Sequence, residues 1–542
     1  MVCSQQFNSV ELLLRRTLLR SYLYSPYNYP DMKSIVFITA ILLSALCSFA
    51  QEPADALRYS WYIQGGTARQ QAVGGAMGSL GGEISATFVN PAGLGLYRTG
   101  DFVVTPGYNF LNNKSTYFGR TEKGKKNYFN FGTTGFVIDG GNRNNRWHAF
   151  SLAVNRTANF GNNILYRGQT NQSSYSQKFL EEIKNGNIKD ANAVASNFPF
   201  GTSLAFNTYW IDTIAGGTSG NYQFQTRAPI ATGLLQQNAI ETKGGITEIA
   251  LAGATNFNNK LLIGGTIGLP ILYYKREATF IEADATENPN NKFDFASLTE
   301  SLTTNGIGIN IRAGLIYKPT EYIRLGLAVH SPTYYGLTDK YDASVTANTE
   351  SYKGELTQRP SDIPVATPAT FKYTLLTPYR VIASASYVLR EIQDVRKQKG
   401  FLTADIEYVN YKFSSFHPDD ATNTDQSTKD YLKSLNQAID KAYKGAFNFR
   451  AGGELKFTTI MVRLGAAYYG NPYKNINGEK GNRFQLSGGL GYRNKGVFVD
   501  LTYVHTITKD VHFPYRLQYS AYSAANIKGS GGNVLLTVGF KI

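Results

Sequence analysis

From Ala68 to Leu94 the chain reads ARQQAVGGAMGSLGGEISATFVNPAGL, closing on Asn90-Pro91-Ala92-Gly93. Gly, Ala and Ser dominate it, so its side chains are too small to build a core. Its spacing is also too regular for a linker. A Gly-rich, weakly packed segment such as this rearranges at low cost, particularly around Gly74-Gly75 and Gly81-Gly82. It stands between an export-like leader and a long series of alternating segments, and those flanks decide how it is read.

Upstream, Met32-Lys33 leads into the apolar run Ser34 to Ala50, with Ser48-Phe49-Ala50 before Gln51. A short basic start, an apolar stretch and small residues at the end define a secretory signal. The run falls short of the ~20 residues that span a bilayer as a helix. Residues 1–50 are therefore expected to be an upstream extension and signal peptide, with Met32 as the start. Cys47 invites a lipoprotein reading, but Leu46 before it is larger than the small residue that reading needs. The only cysteines are Cys3 and Cys47. After cleavage no disulfide framework, zinc site or thiol nucleophile is expected.

Lys and Arg number 54 against 39 Asp and Glu, a net charge of +15. The basic residues are scattered rather than grouped in runs, which argues against nucleic acid. Attraction to anionic lipid headgroups or acidic surface glycolipid is the expected consequence. A mean hydropathy of −0.26 excludes a helical membrane protein. Abundant Tyr, Phe, Gly and Asn instead fit a transmembrane barrel, where apolar and polar residues alternate and no window looks hydrophobic.

Period-two runs bounded by Gly, Asn, Pro or Asp predict fourteen strands. They fall near 101–110, 127–138, 146–156, 246–257, 260–276, 306–318, 321–332, 379–390, 400–412, 446–457, 459–470, 483–494, 496–508 and 532–542. Ile323, Leu325, Leu327 and Val329 alternate with Arg324, Gly326 and Ala328, and Phe484, Leu486 and Leu490 with Gln485, Ser487 and Gly489. One face is large and apolar, the other polar or tiny. The connections sort by parity. After strands two, four, six, ten and twelve they are tight (Gly140–Asn145, Asn258-Asn259, Pro319-Thr320, Thr458, Lys495), and after eight somewhat longer (391–399). After odd strands they are long: 111–125, 157–245, 277–305, 333–378, 413–445, 471–482 and 509–531. Short periplasmic turns, long outer loops and an even strand count are the signature of an outer-membrane barrel. Only closed barrels or helices satisfy every backbone group inside a bilayer. Tyr317, Tyr322, Tyr408, Tyr492 and Tyr503 are placed to form the interfacial girdles.

The segment 68–94, upstream of this series, resembles the N-terminal plug of the FadL/TodX family of outer-membrane hydrophobic-compound transporters. The run Arg312 to Glu321 followed by Ile323 to Pro332 resembles the family's central hairpin, and the pairs 446–470 and 483–508 its later ones. The resemblance implies an all-β, 14-stranded antiparallel transmembrane barrel (101–542) with a plug (51–100) bearing the motif Asn90, Pro91, Ala92 and Gly93. It also implies the outer membrane of a Gram-negative-type bacterium and passive uptake of fatty-acid-like or aromatic compounds. A barrel of this size has room for a plug, whereas small barrels are filled by side chains alone. Relatives of the PorV type act instead as secretion or surface-anchoring partners, which is the alternative function. One departure from the family concerns the third strand, whose inward bend opens the wall: here Trp147 to Arg156 contains no Gly or Pro. Gly264, Gly265, Gly268 and Pro270 interrupt the fifth strand, where a wall gap or an ordinary bulge is expected.

Arg312, Arg324, Asp405, Glu407, Arg450, Glu454, Arg483 and Asp500 fall on the lumen-facing side. Arg312 and Arg324, with Arg450 and Arg483, are candidate contacts for a substrate carboxylate. Alternatively they form a salt-bridged wall against the plug. Two loops read as helical, Tyr175–Asn185 with Ala191–Ser196, and Lys429–Lys444. In the second, Leu432, Leu435 and Ile439 share one face, either as a docking site for a lipophilic ligand or as packing over the barrel mouth. His148, His330, His417, His505 and His512 are dispersed, and no metal, cofactor or catalytic motif is expected. The expected partners are outer-membrane lipid and a lipophilic small molecule, with secretion-system proteins under the alternative reading, and the chain is expected to be a monomeric non-enzyme.

Overall fold

A computed structural model describes residues 53–542 apart from 62, 144–145, 219, 364–368, 390–398, 421–423 and 475–480. The leader 1–50 lies outside the described residues, as does most of the 391–399 connection. The barrel closes from fourteen antiparallel strands. They are β1 (Asp101–Val104 and Pro106–Tyr117), β2 (Arg120–Phe131 and Thr134–Arg143), β3 (Arg146–Asn159 and Asn162–Thr170), β4 (Leu234–Phe257), β5 (Leu261–Asp284), β6 (Phe295–Tyr317) and β7 (Ile323–His330 and Tyr334–Asn348). The circuit continues with β8 (Ala369–Leu376 and Arg380–Leu389), β9 (Gly400–Asn410 and Ser415–Pro418), β10 (Gly445–Phe457), β11 (Ile460–Tyr469), β12 (Arg483–Asn494), β13 (Val497–His512) and β14 (Ala525–Lys541). β14 pairs back onto β1, from Asp101 against Lys541 to Thr116 against Asn526, and this leaves no free edge at the seam.

Every expected strand is present, but many run further toward the long-loop rim. β4 and β5 stay paired over 24 residues, from Phe257 opposite Leu261 up to Leu234 opposite Asp284. A membrane-crossing strand needs only ~9–11 residues, so the remainder stands above the bilayer. The expected loop 111–125 is a correction: β1 and β2 join through Phe118 and Gly119, both at positive φ, in a two-residue turn. At the opposite rim Asn258 and Asn259, at φ 50° and 58°, turn β4 into β5.

The outer surface carries an apolar band. Ile263, Ile267 and Leu269 on β5, Leu325 and Leu327 on β7, Leu402 and Ile406 on β9, and Leu464 on β11 all point outward and exposed. Such exposure would be unfavourable in water and is what a hydrocarbon layer ~25 Å deep requires. Tyr317, Tyr322, Tyr492 and Tyr503 are exposed at its margins, and Tyr408 is half-exposed. No helix among the described residues is long and apolar enough to cross a membrane.

Inside the barrel, residues 53–100 form short pieces: helices α1 (Pro53–Arg58), α2 (Ala68–Ala72) and α3 (Ala86–Val89), then a 3-10 turn Pro91–Leu96. From Thr67 to Gly95 nearly every residue is buried. Helices this short do not hold themselves together. The wall holds them. Over the long-loop rim lie α4 (Ser176–Asn185), α5 (Ala191–Asn197), α6 (Thr202–Asn207) and α7 (Gln426–Ala442).

Candidate functional site: plug, cavity and wall seam

The plug is docked backbone to backbone. A Cβ on Gly452 of β10 would lie 2.5 Å from the Val73 carbonyl oxygen, and one on Gly264 of β5 would lie 2.5 Å from Pro91. Cβ atoms on Gly314, Gly326 and Gly465 would collide with Asn90, Gly78 and Gly74. The tiny residues in the lumen-facing alternation are thus the imprint of the plug. This corrects the expectation for the fifth strand. β5 keeps one unbroken register with β4 through Leu269 and Pro270 and has no bulge; on the β6 side the ladder skips only these two residues without a change of register, and the glycines of β5 make room for Pro91, Ala92 and the Glu248 side chain.

Polar contacts fix the orientation. Asn90 caps the 3-10 turn by accepting from the Ala92 N–H at 3.2 Å, and its amide donates to the carbonyls of Gly78 and Leu315. The Asp405 carboxylate accepts from the Met77 and Gly78 N–H groups at 3.1 and 3.2 Å. Ala68 lies between Thr537, which accepts from its N–H at 2.8 Å, and Thr502, which donates to its carbonyl at 2.7 Å. His330 bonds the Val89 carbonyl at 2.8 Å. Replacing Asn90 with alanine removes the cap and leaves two buried carbonyls short of a donor. We expect a local loss of about 1–3 kcal/mol, read as faster amide exchange across 78–94 with the barrel's thermal transition unchanged.

Three of the four candidate arginines are committed to this framework. Arg312 pairs with Glu248 at 2.7 Å, Arg324 donates to the plug carbonyl of Leu80, and Arg450 sits between Glu407 at 3.0 Å and Asp405 at 3.8 Å. Arg463 likewise joins Glu454 to Asp500, and Arg69 of the plug reaches Glu454 at 3.2 Å. Arg483 is placed differently. Its guanidinium lies 3.6 Å from the centre of the Trp61 ring and lines a cavity.

That cavity has a volume of about 530 Å³ and lies between the plug and the wall. Trp61, Tyr128, Phe160 and Tyr274 give it aromatic walls, with Arg156 and Arg276 among the polar groups at its edge. It reaches the wall where β2 faces β3. β1 pairs with β2 along Pro106–Tyr117, and the lower part of β2 pairs with β3 from Thr134 opposite Val154. Above this, among the described residues, no ladder joins Arg120–Phe131 to Asn162–Thr170; the latter segment pairs only with β4. The register of β3 against β4 slips between Arg156 and Ala158, and Phe160-Gly161 break the strand. Across the seam contact passes through side chains instead: Asn113 donates to the Asn163 carbonyl at 2.7 Å, and Asn163 to that of Lys125 at 3.2 Å. Exposed Phe129 and Phe131 mark its lipid side. The absence of Gly and Pro from Trp147–Arg156 therefore does not keep the wall continuous. The break begins one residue later, at the bulge around Thr157 and at Gly161.

Leu432, Leu435 and Ile439 of α7 are buried, not displayed. They pack over the barrel mouth with Leu57, Tyr373 and Phe416, and Tyr443 donates to the Pro53 carbonyl at 3.0 Å. The face offers a ligand the underside of a lid rather than an exposed patch. Asp425 caps α7 through the Thr428 N–H at 2.6 Å, which holds its carboxyl below the usual range. The first loop's helices close a second cluster around Trp210, whose indole donates to buried Glu282 at 2.9 Å.

A closed antiparallel barrel with an outward apolar band, a plugged lumen and a lateral seam is a barrel of outer-membrane type. More narrowly, it has a FadL/TodX-like fold. A FadL homologue from Pseudomonas aeruginosa superimposes with a TM-score of 0.51 at 12% identity, over 89% of this chain and 99% of that one. The toluene transporter TodX of P. putida gives 0.49 at 12% identity, with 89% and 99% covered. The toluene transporter TbuX of Ralstonia pickettii gives 0.47 at 13%, again with 89% and 99% covered. No protein-family model and no curated protein matches the sequence.

Proposed function

We propose that the chain is a passive outer-membrane channel for hydrophobic or amphipathic small molecules, which pass from the loop side into the aromatic cavity and leave sideways through the β2–β3 seam. The observation that carries this reading is one cavity meeting both an occluding plug and an unladdered stretch of wall. Its volume falls within the ~300–1,000 Å³ typical of small-molecule sites. Aromatic walls favour an apolar body, while Arg483 and Arg156 at the edge suit a polar or anionic end. A sideways exit keeps an apolar solute out of water, so transport runs down its gradient without ATP. The FadL-like fold supports the same reading.

The test is uptake of fluorescent fatty-acid and small aromatic probes into liposomes carrying the purified barrel. Thr506 lines the cavity, and tryptophan there should fill it and cut uptake by roughly tenfold or more while leaving the folded barrel intact. No acceleration for any probe, together with a stoichiometric protein bound to an empty barrel, would replace this reading with a secretion or anchoring role.

A further inference from the structure

Four lysines lie side by side on the outside of the barrel. Lys509 of β13 is opposite Lys528 of β14, Lys528 is opposite Lys114 of β1, and Lys114 is opposite Lys123 of β2. Directly opposed residues share a face, and all four side chains are exposed. They point outward, because they fall in phase with outward Phe110, Tyr503, Val534 and Phe129 on the same strands. Lys125 lies two residues below Lys123, on the same face and also exposed.

Such a row opposes folding. Like charges directly opposite in a ladder repel, and here four are consecutive with no acid to offset them. The other outward positions at this level are Asn112, Thr116, Thr121, Asn127, Ile507, Val511, Asn526 and Ser530, none of them acidic. The nearest acids face the other way. Glu122 holds Arg120 and Arg167, and alternation turns Asp510 inward. No described residue forms an ion pair with any of the five lysines.

The row also has a defined height. It stands two residues beyond exposed Ile507 on β13, four beyond Phe110 on β1, and six beyond Val534 and Phe129 on β14 and β2. At ~3.3 Å per residue and a tilt near 40°, that is about 5–15 Å above the apolar band, within a lysine's reach of the headgroup layer. Three strand spacings of ~4.8 Å make it about 14 Å wide.

We propose that this row, on the outer face of β13–β14–β1–β2, binds the anionic headgroup of an outer-leaflet lipid carrying more than one phosphate. Charge complementarity and height select the occupant. A single phosphate neutralises part of the row, whereas a headgroup with two spans it. The site adjoins the β2–β3 seam, since Lys123 and Lys125 belong to the unladdered part of β2, so the bound lipid lies against the wall opening. The inference rests on the barrel spanning a membrane and is independent of what the cavity carries.

The experiment is retention of a diphosphorylated acyl-disaccharide, against phosphatidylcholine, by the intact barrel in mild detergent, read by native mass spectrometry. Wild type should retain the phosphorylated lipid preferentially and lose it as salt is raised. Replacing Lys114, Lys123, Lys509 and Lys528 with glutamine should lower retention roughly tenfold or more. Arginine at the same positions should preserve it, and glutamine at Lys260, Lys399 and Lys495 on the opposite rim should have no effect. Heat-modifiable gel mobility verifies that each variant is folded, and the glutamine row, relieved of repulsion, should be no less stable. Equal retention by the glutamine variant overturns the proposal. So does binding of inorganic phosphate alone with no lipid retained, or stoichiometric capture of an acidic protein in the lipid's place.

Discussion

Valine at Gly465 is expected to open the barrel to ions. A Cβ there collides with the Gly74 backbone, and Gly74 is at φ 69° against the Ala466 and Ala451 carbonyls, so neither partner can move alone. The strand itself gains from valine, a good β-former. The strain therefore falls on the plug. Overpacking of this kind costs about 1–3 kcal/mol, which raises the unseated population roughly five- to 150-fold. Conductance across planar bilayers should increase by a similar factor, with the barrel's heat-modifiable mobility retained. Valine at Gly326, which meets Gly78, should act the same way, and the pair together more strongly. Valine at Gly336, whose Cβ would meet nothing within 4 Å, is the control. Unchanged conductance in both docking variants would mean that the plug is held by other contacts.

Methionine at Arg450 is expected to be the most destabilising single change in the lumen. The guanidinium is almost fully buried between Glu407 and Asp405. Glu407 keeps Arg380 at 3.7 Å and the Asn448 amide at 2.9 Å, so Asp405 is left most exposed to the loss. Removing one partner of a buried pair typically costs about 3–5 kcal/mol, because the remaining charge is desolvated without compensation. Asp405 also receives the Met77 and Gly78 N–H groups, so the plug should loosen with the wall. The measurements are the temperature at which the barrel loses its folded mobility and the rate of protease cutting within 74–82. Adding Asp405→Asn to the methionine variant should restore a large part of both, and a strictly additive double variant would show that the two residues do not act as a unit.

Much of this molecule was legible in its sequence. Alternation in β7, as Ile323, Leu325, Leu327 and Val329 against Arg324 and Gly326, reports directly which side faces lipid. In a barrel that signal is strictly local, with period two. The helices 176–185 and 426–442 also announce themselves by their spacing. The strand extensions were hidden, because above the bilayer the outer face meets water while the inner face packs Phe280, Leu298 and Val345 under the loop helices, so the apolar-out pattern no longer holds. The docking glycines were visible only as tiny residues; which part of the plug they receive depends on chain hundreds of residues away. The arginines illustrate the same boundary. Nothing in the runs around Arg312, Arg450 and Arg483 separates them, yet two are held by carboxylates and the third lies over Trp61 at the cavity edge.

Period and loop parity were enough by themselves to determine a barrel of fourteen strands and its two unlike rims, while the plug ending in Asn90-Pro91-Ala92-Gly93 was implied by a family resemblance. Only the tertiary structure decided where the wall is not laddered, how the plug divides the lumen, and that Lys509, Lys528, Lys114 and Lys123 stand in one line. The physical reason is register. A strand's face is written in its own residues, but which residue lies opposite, and whether any does, is settled when two distant segments pair.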